Sequence, residues 1–317
     1  MLDAIRTSCA AVADRARQVT ILPERLPEYA ASFPLEELPG ETADPGRNRH
    51  GNDEATAAFV IALDAINFGS GYFPHINKRP GLSGYHTVAA GLTDYVEATG
   101  PITAARLRRL DEADCASIFG QSLDGGFQQE LMEHFAAALN ELGRMVAADF
   151  DGSFTALVES AMHSAESLAL TLATLPHFAD VHTYGDLEVP LYKRAQITPY
   201  DLAVAFAHTG LGRFDDLDRL TMFADNLVPH VLRIDGVLAF DPALVARIEA
   251  VEDIESGSAP EVEIRACALH CVEQLVELMK SRVPGLTAGQ VDGALWARGG
   301  RAEYKAEPRH RTRCVFY

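Results

Sequence analysis

The clearest periodic stretch is FQQELMEHFAAALNELGRMVAADF, residues 127 to 150. Its apolar residues Phe127, Leu131, Phe135, Ala138, Leu142 and Met145 recur every three or four positions, which draws one stripe on an amphipathic helix. ATAAFVIALDAINF (55 to 68) is apolar on nearly every side and predicts a buried helix. GYHTVAAGLTDYVEATG (84 to 100) predicts another, and SFTALVESAMHSAESLALTLATL (153 to 175) predicts a long one capped by Ser153. Further helices fit residues 198 to 210, 215 to 223, 229 to 238, 242 to 254, 260 to 283 and 287 to 299. Strand signals are weak and confined to the ends and to HTYGDLEVPLY (182 to 192). TILPERLPEYAASFP (20 to 34) reads as extended with room for a short helix, and the Pro-, Gly- and Asn-rich residues 34 to 55 as irregular. The expected architecture is mainly α: an extended or irregular segment 1–54 packed on one continuous all-helical domain, 55–317, with few short strands.

Length and composition narrow the classes. A chain of 317 residues can bury about 75% of its unfolded surface, so a real core is available. No run reaches the roughly 20 apolar residues of a membrane span, and the N-terminus lacks the apolar core of a signal peptide, so a cytoplasmic protein away from membranes is expected. Lys and Arg total 27 against 45 acids, a net charge of -18. Grip on a nucleic-acid duplex needs a basic face, so a long nucleic acid is not the expected partner. A small anionic ligand needs only a few local cations. Five scattered cysteines do not make a disulfide framework. Cys267 and Cys271, four apart, read as buried thiols on one helical face, because no second Cys/His cluster completes a metal site. Neither metal nor cofactor is expected.

Residues 191 to 240 carry the chemistry. Lys193 and Arg194 open the segment, and a helix of about a dozen residues leads to TGLGRF, whose Gly210 and Gly212 suit a tight turn between helices. A second short helix then leads to Asp225 and Asn226 in an apolar setting. On pattern alone, these two could simply cap the helix beginning near Pro229. The order of lysine, glycine hairpin and aspartate resembles the helix-hairpin-helix base-excision glycosylases.

A closer resemblance rests on YKRAQ (192 to 196), LTMFADNLVP (220 to 229), SGSAPEVEIRA (256 to 266), INF (66 to 68), DGSF (151 to 154) and HRTRCVFY (310 to 317). Taken in chain order, these pieces resemble the queuosine salvage protein family, the queuosine 5'-phosphate N-glycosylases or hydrolases. The resemblance implies a helix-hairpin-helix glycosylase-like core. It also implies hydrolysis of queuosine 5'-monophosphate, a small-molecule substrate, to queuine and ribose 5-phosphate, supplying queuine for tRNA modification. The alternatives are a DNA base-excision glycosylase, which the charge disfavours, and a non-catalytic helical binding module.

Glycosidic cleavage develops positive charge on the sugar, which a nearby carboxylate can stabilise, attack or serve by activating water. The resemblance gives this role to Asp225, with Lys193 positioning it or contacting the sugar, phosphate or base. Arg194 reads as structural or solvated. A deazaguanine edge needs acceptors and a flat slot. Asn67, Asp64 and Asp201 are candidates for the edge, and Phe68, Tyr72 and Tyr85 for stacking. The basic tail offers His310, Arg311 and Arg313 for the phosphate, or else a strand tying the end of the chain to the core. Glu263 and Arg265 read as one buried ion pair.

Overall fold

A computed structural model describes residues 1–38 and 48–317. Part of the irregular stretch expected over 34 to 55 therefore lies outside the described residues. The helices are α1 Leu2–Arg15, α2 Leu26–Ser32, α3 Asp53–Ala65, α4 Gly84–Thr99, α5 Ala104–Leu107, α6 Glu112–Phe119, α7 Phe127–Asp149 and α8 Phe154–Ser160. They continue as α9 Ala165–Leu172, α10 Lys193–Ala205, α11 Leu227–Ile234, α12 Pro242–Glu249, α13 Ala259–Met279, α14 Ala288–Gly299 and α15 Ala302–Lys305. Four short strands, β1 Val19–Ile21, β2 Val181–Tyr184, β3 Leu187–Pro190 and β4 Leu238–Phe240, form two antiparallel pairs, β1 with β4 and β2 with β3. The mainly α expectation holds.

Backbone contacts group the chain into two compact units. The first gathers Met1–Thr42, Asp180–Lys193 and Asp218–Arg313. Its centre is α13, which touches α1, α2, α11, α14, β1 and β2. Both polar and apolar residues of α13 are buried, from Glu261 through Arg265 to Met279. The second unit gathers Ala43–Ala179, Arg194–Leu217 and Cys314–Tyr317. Its centre is α7, against which α3, α5 and α6 pack along the predicted stripe of Leu131, Phe135, Ala138 and Leu142. Helix α3 is buried on every side from Ala55 to Ala65, as its composition requires.

Four local differences from the sequence reading have physical causes. Residues 2–15 form α1 instead of irregular chain: Leu2, Ile5, Cys9 and Val12 keep helical spacing and are buried against α13. The helix expected over 153 to 175 is broken, because Met162 and His163 take left-handed backbone angles (φ 49° and 63°) and Ser164 caps a new helix. The Asp216 carboxylate captures the new start, accepting from Ala165 N at 2.5 Å and Glu166 N at 3.2 Å. Helix α10 begins at Lys193, five residues before the expected start, and carries Pro199 inside it. Residues 215 to 223 do not form an α-helix; they hold one 3-10 turn, Leu217–Arg219, followed by chain without regular secondary structure. That segment's backbone bonds go to side chains: Arg6 donates to Arg219 O at 2.6 Å, and Phe223 N donates to Asp292 Oδ1 at 3.1 Å.

The glycine turn is built as its sequence suggests. Gly210 takes a φ of 54°, and a Cβ on Gly212 would sit 2.6 Å from Phe206 Cβ. It opens with a 3-10 turn, Gly210–Gly212, and no α-helix follows it before α11. All five cysteines are free and buried, and burial pushes the Cys271 thiol up to about 12.

Two predictions come from this packing. A Cβ on Gly143 in α7 would lie 2.8 Å from both Arg108 N and Leu107 Cβ. Gly143→Ala should therefore destabilise by about 1–2 kcal/mol, overpacking outweighing the gain in helix propensity, as read by urea denaturation. The second concerns two buried imidazoles of the first unit. Burial lowers His230 to about 4, against a hydrogen bond to Tyr304 O, and lowers His310 to about 3 with help from Arg265 and Arg309. An unfolded chain titrates both near 6.5. Between that value and the folded values the unfolded state binds protons that the folded state refuses, so stability falls as pH falls. The loss is at most about 1.4 kcal/mol per pH unit for each histidine. The urea midpoint should hold above pH 7 and decline from 6.5 to 4, and His310→Gln should flatten that decline. An unaltered slope in His310→Gln would remove His310 as a cause.

Candidate functional site

The first unit holds Asp225 and Lys193. Asp225 sits two residues before α11, and its Oδ1 accepts from Leu227 N at 2.8 Å and Val228 N at 3.1 Å. It is therefore a helix cap, as pattern alone allowed. Asn226 does not share that work; its side-chain amide donates to His310 O at 3.2 Å. The capping uses one carboxylate oxygen. Asp225 Oδ2 takes no hydrogen bond among the described residues, and the side chain is half-buried.

Lys193 is buried at the head of α10, 6% exposed. Its N–H donates to Asp180 Oδ2 at 3.1 Å. Asp180 is a hub: its carbonyl accepts from Leu191 N at 2.9 Å and Tyr192 N at 3.2 Å, which closes the base of the β2–β3 hairpin. Tyr192 is held there at a φ of 47°, a strained value for an aromatic residue. Arg265, fully buried on α13, forks onto the same carboxylate, with Nη2 to Oδ2 at 2.6 Å and Nη1 to Oδ1 at 3.0 Å. Burial alone would raise the Asp180 carboxyl; Arg265 and a hydrogen bond from His182 overcome it and hold it well below the usual range. Arg265 Nε donates to Ala224 O at 3.0 Å, the carbonyl that precedes Asp225. One guanidinium therefore ties the residues beside Lys193 to those beside Asp225.

The expected Glu263–Arg265 pair is not formed. Arg265 pairs with Asp180 and with Glu261, at 3.3 Å. Glu263 instead receives the backbone N–H groups of Arg17, Gln18 and Val19 at 2.6–3.0 Å and the Tyr184 hydroxyl at 2.7 Å.

The basic tail divides. Arg313 is exposed and paired with Asp253 at 2.9 Å. His310 is buried and, with its lowered pKa, neutral near pH 7. Arg311 is half-buried, and its side chain forms no hydrogen bond among the described residues. Arg309, which the sequence reading passed over, is also half-buried without a hydrogen-bond partner among the described residues. Burial lowers its pKa, the Asp225 charge opposes that shift and the Arg311 charge adds to it, so the three groups share one neighbourhood. Arg309 belongs to the same basic tail as Arg311, and that was the available signal.

The second unit holds the residues expected to read the base. Asn67, half-buried, and Phe68, buried, lie in the turn after α3. The Phe68 ring carries the Arg194 guanidinium at 4.6 Å and meets Phe135 edge-on at 5.1 Å. Arg194 is structural: it lies between Phe68 and Phe178 and donates to the carbonyls of Ala65, His177 and Val315. Tyr72 is buried and donates to Glu130 at 2.8 Å. Tyr85 is half-buried in the first turn of α4, against His86. Asp64 and Asp201 are buried in α3 and α10. A cleft of about 490 Å³ lined by Arg79, Asp94, Tyr95 and Asp114 contains none of these candidates.

A family profile described as queuosine salvage protein matches residues 47–317. A protein of Sphaerobacter thermophilus named queuosine 5'-phosphate N-glycosylase/hydrolase is 37% identical over 320 residues, covering 99% of this chain and 97% of that one. Proteins of the same name from Dictyostelium discoideum and Mus musculus are 32% and 30% identical, covering 83% and 85% of this chain and 79% and 84% of theirs. With a profile over most of its length and one relative matched nearly end to end, this chain belongs to the queuosine salvage protein family.

Proposed function

We propose that this protein is an enzyme that hydrolyses the N-glycosidic bond of queuosine 5'-monophosphate, releasing queuine and ribose 5-phosphate. The activity is the one named for its relatives. The observation that carries the assignment to Asp225 is its divided carboxylate: Oδ1 is fixed by two amides of α11, while Oδ2 has no hydrogen-bond partner among the described residues. As the bond from sugar carbon to base nitrogen breaks, positive charge gathers on the ribose. A fixed carboxylate needs no reorganisation to meet that charge. Water completes the reaction, its hydroxyl going to the sugar and its proton balance to the departing base. The same Oδ2 serves as counter-charge or as acceptor of the water proton.

Lys193 is assigned a supporting contact to the substrate. For the phosphate, Arg309 joins Arg311 as a second cation, since guanidinium groups grip phosphate oxygens in pairs. Neutral His310 and ion-paired Arg313 supply less charge there.

Two measurements test this reading. Queuine release from queuosine 5'-monophosphate should fall about 10³-fold in Asp225→Asn. The asparagine oxygen still accepts from Leu227 and Val228, so the melting temperature should move little. Release at the parent rate would move the reacting carboxylate elsewhere. Arg309→Ala should raise KM for the nucleotide about tenfold or more while leaving KM for the nucleoside nearly unchanged. Equal effects on both substrates would detach Arg309 from the phosphate.

A further inference from the structure

The buried guanidinium of Arg265 is placed in a way that stability alone does not require. Its exposure is 0%, and it meets Asp180 through both terminal nitrogens, Glu261 through one, and Ala224 O through Nε. A buried ion pair is often replaceable by apolar side chains without loss of stability. What an apolar replacement cannot do is hold two separate pieces of backbone in one register. Arg265 holds two: the Asp180 carboxylate, whose Oδ2 also receives Lys193 N–H, and the carbonyl immediately before Asp225. Tyr192, between hairpin and α10, sits in a left-handed conformation that lasts only while its surroundings enforce it. Its N–H is bonded to the Asp180 carbonyl at 3.2 Å.

We propose that Arg265 is a positioning residue for glycosidic cleavage, a fork that fixes the backbone from which Lys193 and Asp225 project. This rests on the reading of Asp225 as the reacting carboxylate. The planar, bidentate head is the necessary feature; a lysine keeps the charge but cannot bond Asp180 twice and Ala224 O at once. A small displacement of a reacting group is enough to cost two orders of magnitude in rate.

The test compares Arg265→Lys with Arg298→Lys. Arg298 is a second buried arginine of the first unit, paired with Glu37 at 2.8 Å and Asp235 at 2.9 Å, none of them bonded to Lys193 or Asp225. Both variants, the parent and Asp225→Asn are assayed for queuine release, well below their melting temperatures. Arg265→Lys should lower kcat about 10- to 100-fold with KM changed by less than about threefold. Arg298→Lys should lower the melting temperature without that fall in kcat. Parent-like kcat in Arg265→Lys, or equal falls in kcat for the two lysine variants, would overturn the proposal. If Arg265→Lys does not fold, Asp180→Asn takes its place: it keeps one acceptor and loses the fork, and parent-like kcat in it is equally fatal. The two readings fail separately. Activity retained in Asp225→Asn removes the catalytic assignment, whereas a dead Asp225→Asn beside a fully active Arg265→Lys removes only the positioning role.

Discussion

The buried pair of Arg265 and Asp180 is the constraint on which the first unit turns. Taking both charges out of water is costly, and the cost is met only by complete bonding. Asp180 receives Arg265 twice and His182 once, and Arg265 reaches on to Glu261 and Ala224 O. Glu261 in turn accepts from Gly257 N at 3.1 Å, which ties down the turn before α13. The hairpin base, the head of α10, the strap before α11 and the start of α13 therefore share one set of bonds. Removing either partner leaves an uncompensated buried charge, a loss of about 3–5 kcal/mol in comparable pairs.

The same economy recurs through the chain: carboxylates reach across long sequence separations to hold backbone amides. Glu54 secures the start of α8, accepting from Phe154 N at 2.7 Å and Thr155 N at 2.9 Å. Asp216 secures α9, Glu141 secures the N–H and ring of His177, and Glu263 secures the turn into β1. Each of these four acids uses both oxygens. Asp225 uses one. Under the proposed function, cap and reacting group are not competing descriptions of Asp225, since the cap occupies one oxygen and leaves the other.

The amphipathic elements were legible because their information is local. The stripe of α7 and the all-round apolar α3 appear where the periodicity places them. The signal for α1 was present in the spacing of Leu2, Ile5, Cys9 and Val12, though charged residues between them hid it. The break at Met162–His163 was not legible, because the carboxylate that captures the next helix lies some fifty positions away. Strands β1 and β4 were hidden for the same reason: each is three residues long and finds its partner across the chain, Thr20 opposite Ala239. In the proposed site, Asp225 is singled out by a motif in the sequence. The fork of Arg265 was not, since its main partner, Asp180, is 85 positions distant; the nearer candidate, Glu263, turned to Tyr184 and the β1 turn instead.

Charge makes the last connection. The chain carries -18 overall, and a nucleotide monophosphate arrives negative. Much of the buried acid is already spent on amides and arginines, and bonded charges inside a fold project less field than their number suggests. What a phosphate meets at close range is decided by the few cations not so bound. The side chains of Arg309 and Arg311 hold no hydrogen bond among the described residues, and Arg309 stands in the neighbourhood of Asp225 and Arg311. At physiological salt, exposed charges beyond about 8 Å are largely screened, so the distant acids count for little against these two. A net acidic charge is therefore compatible with the proposed nucleotide substrate, because a nucleotide needs only a pair of local cations whereas a duplex needs a continuous basic face.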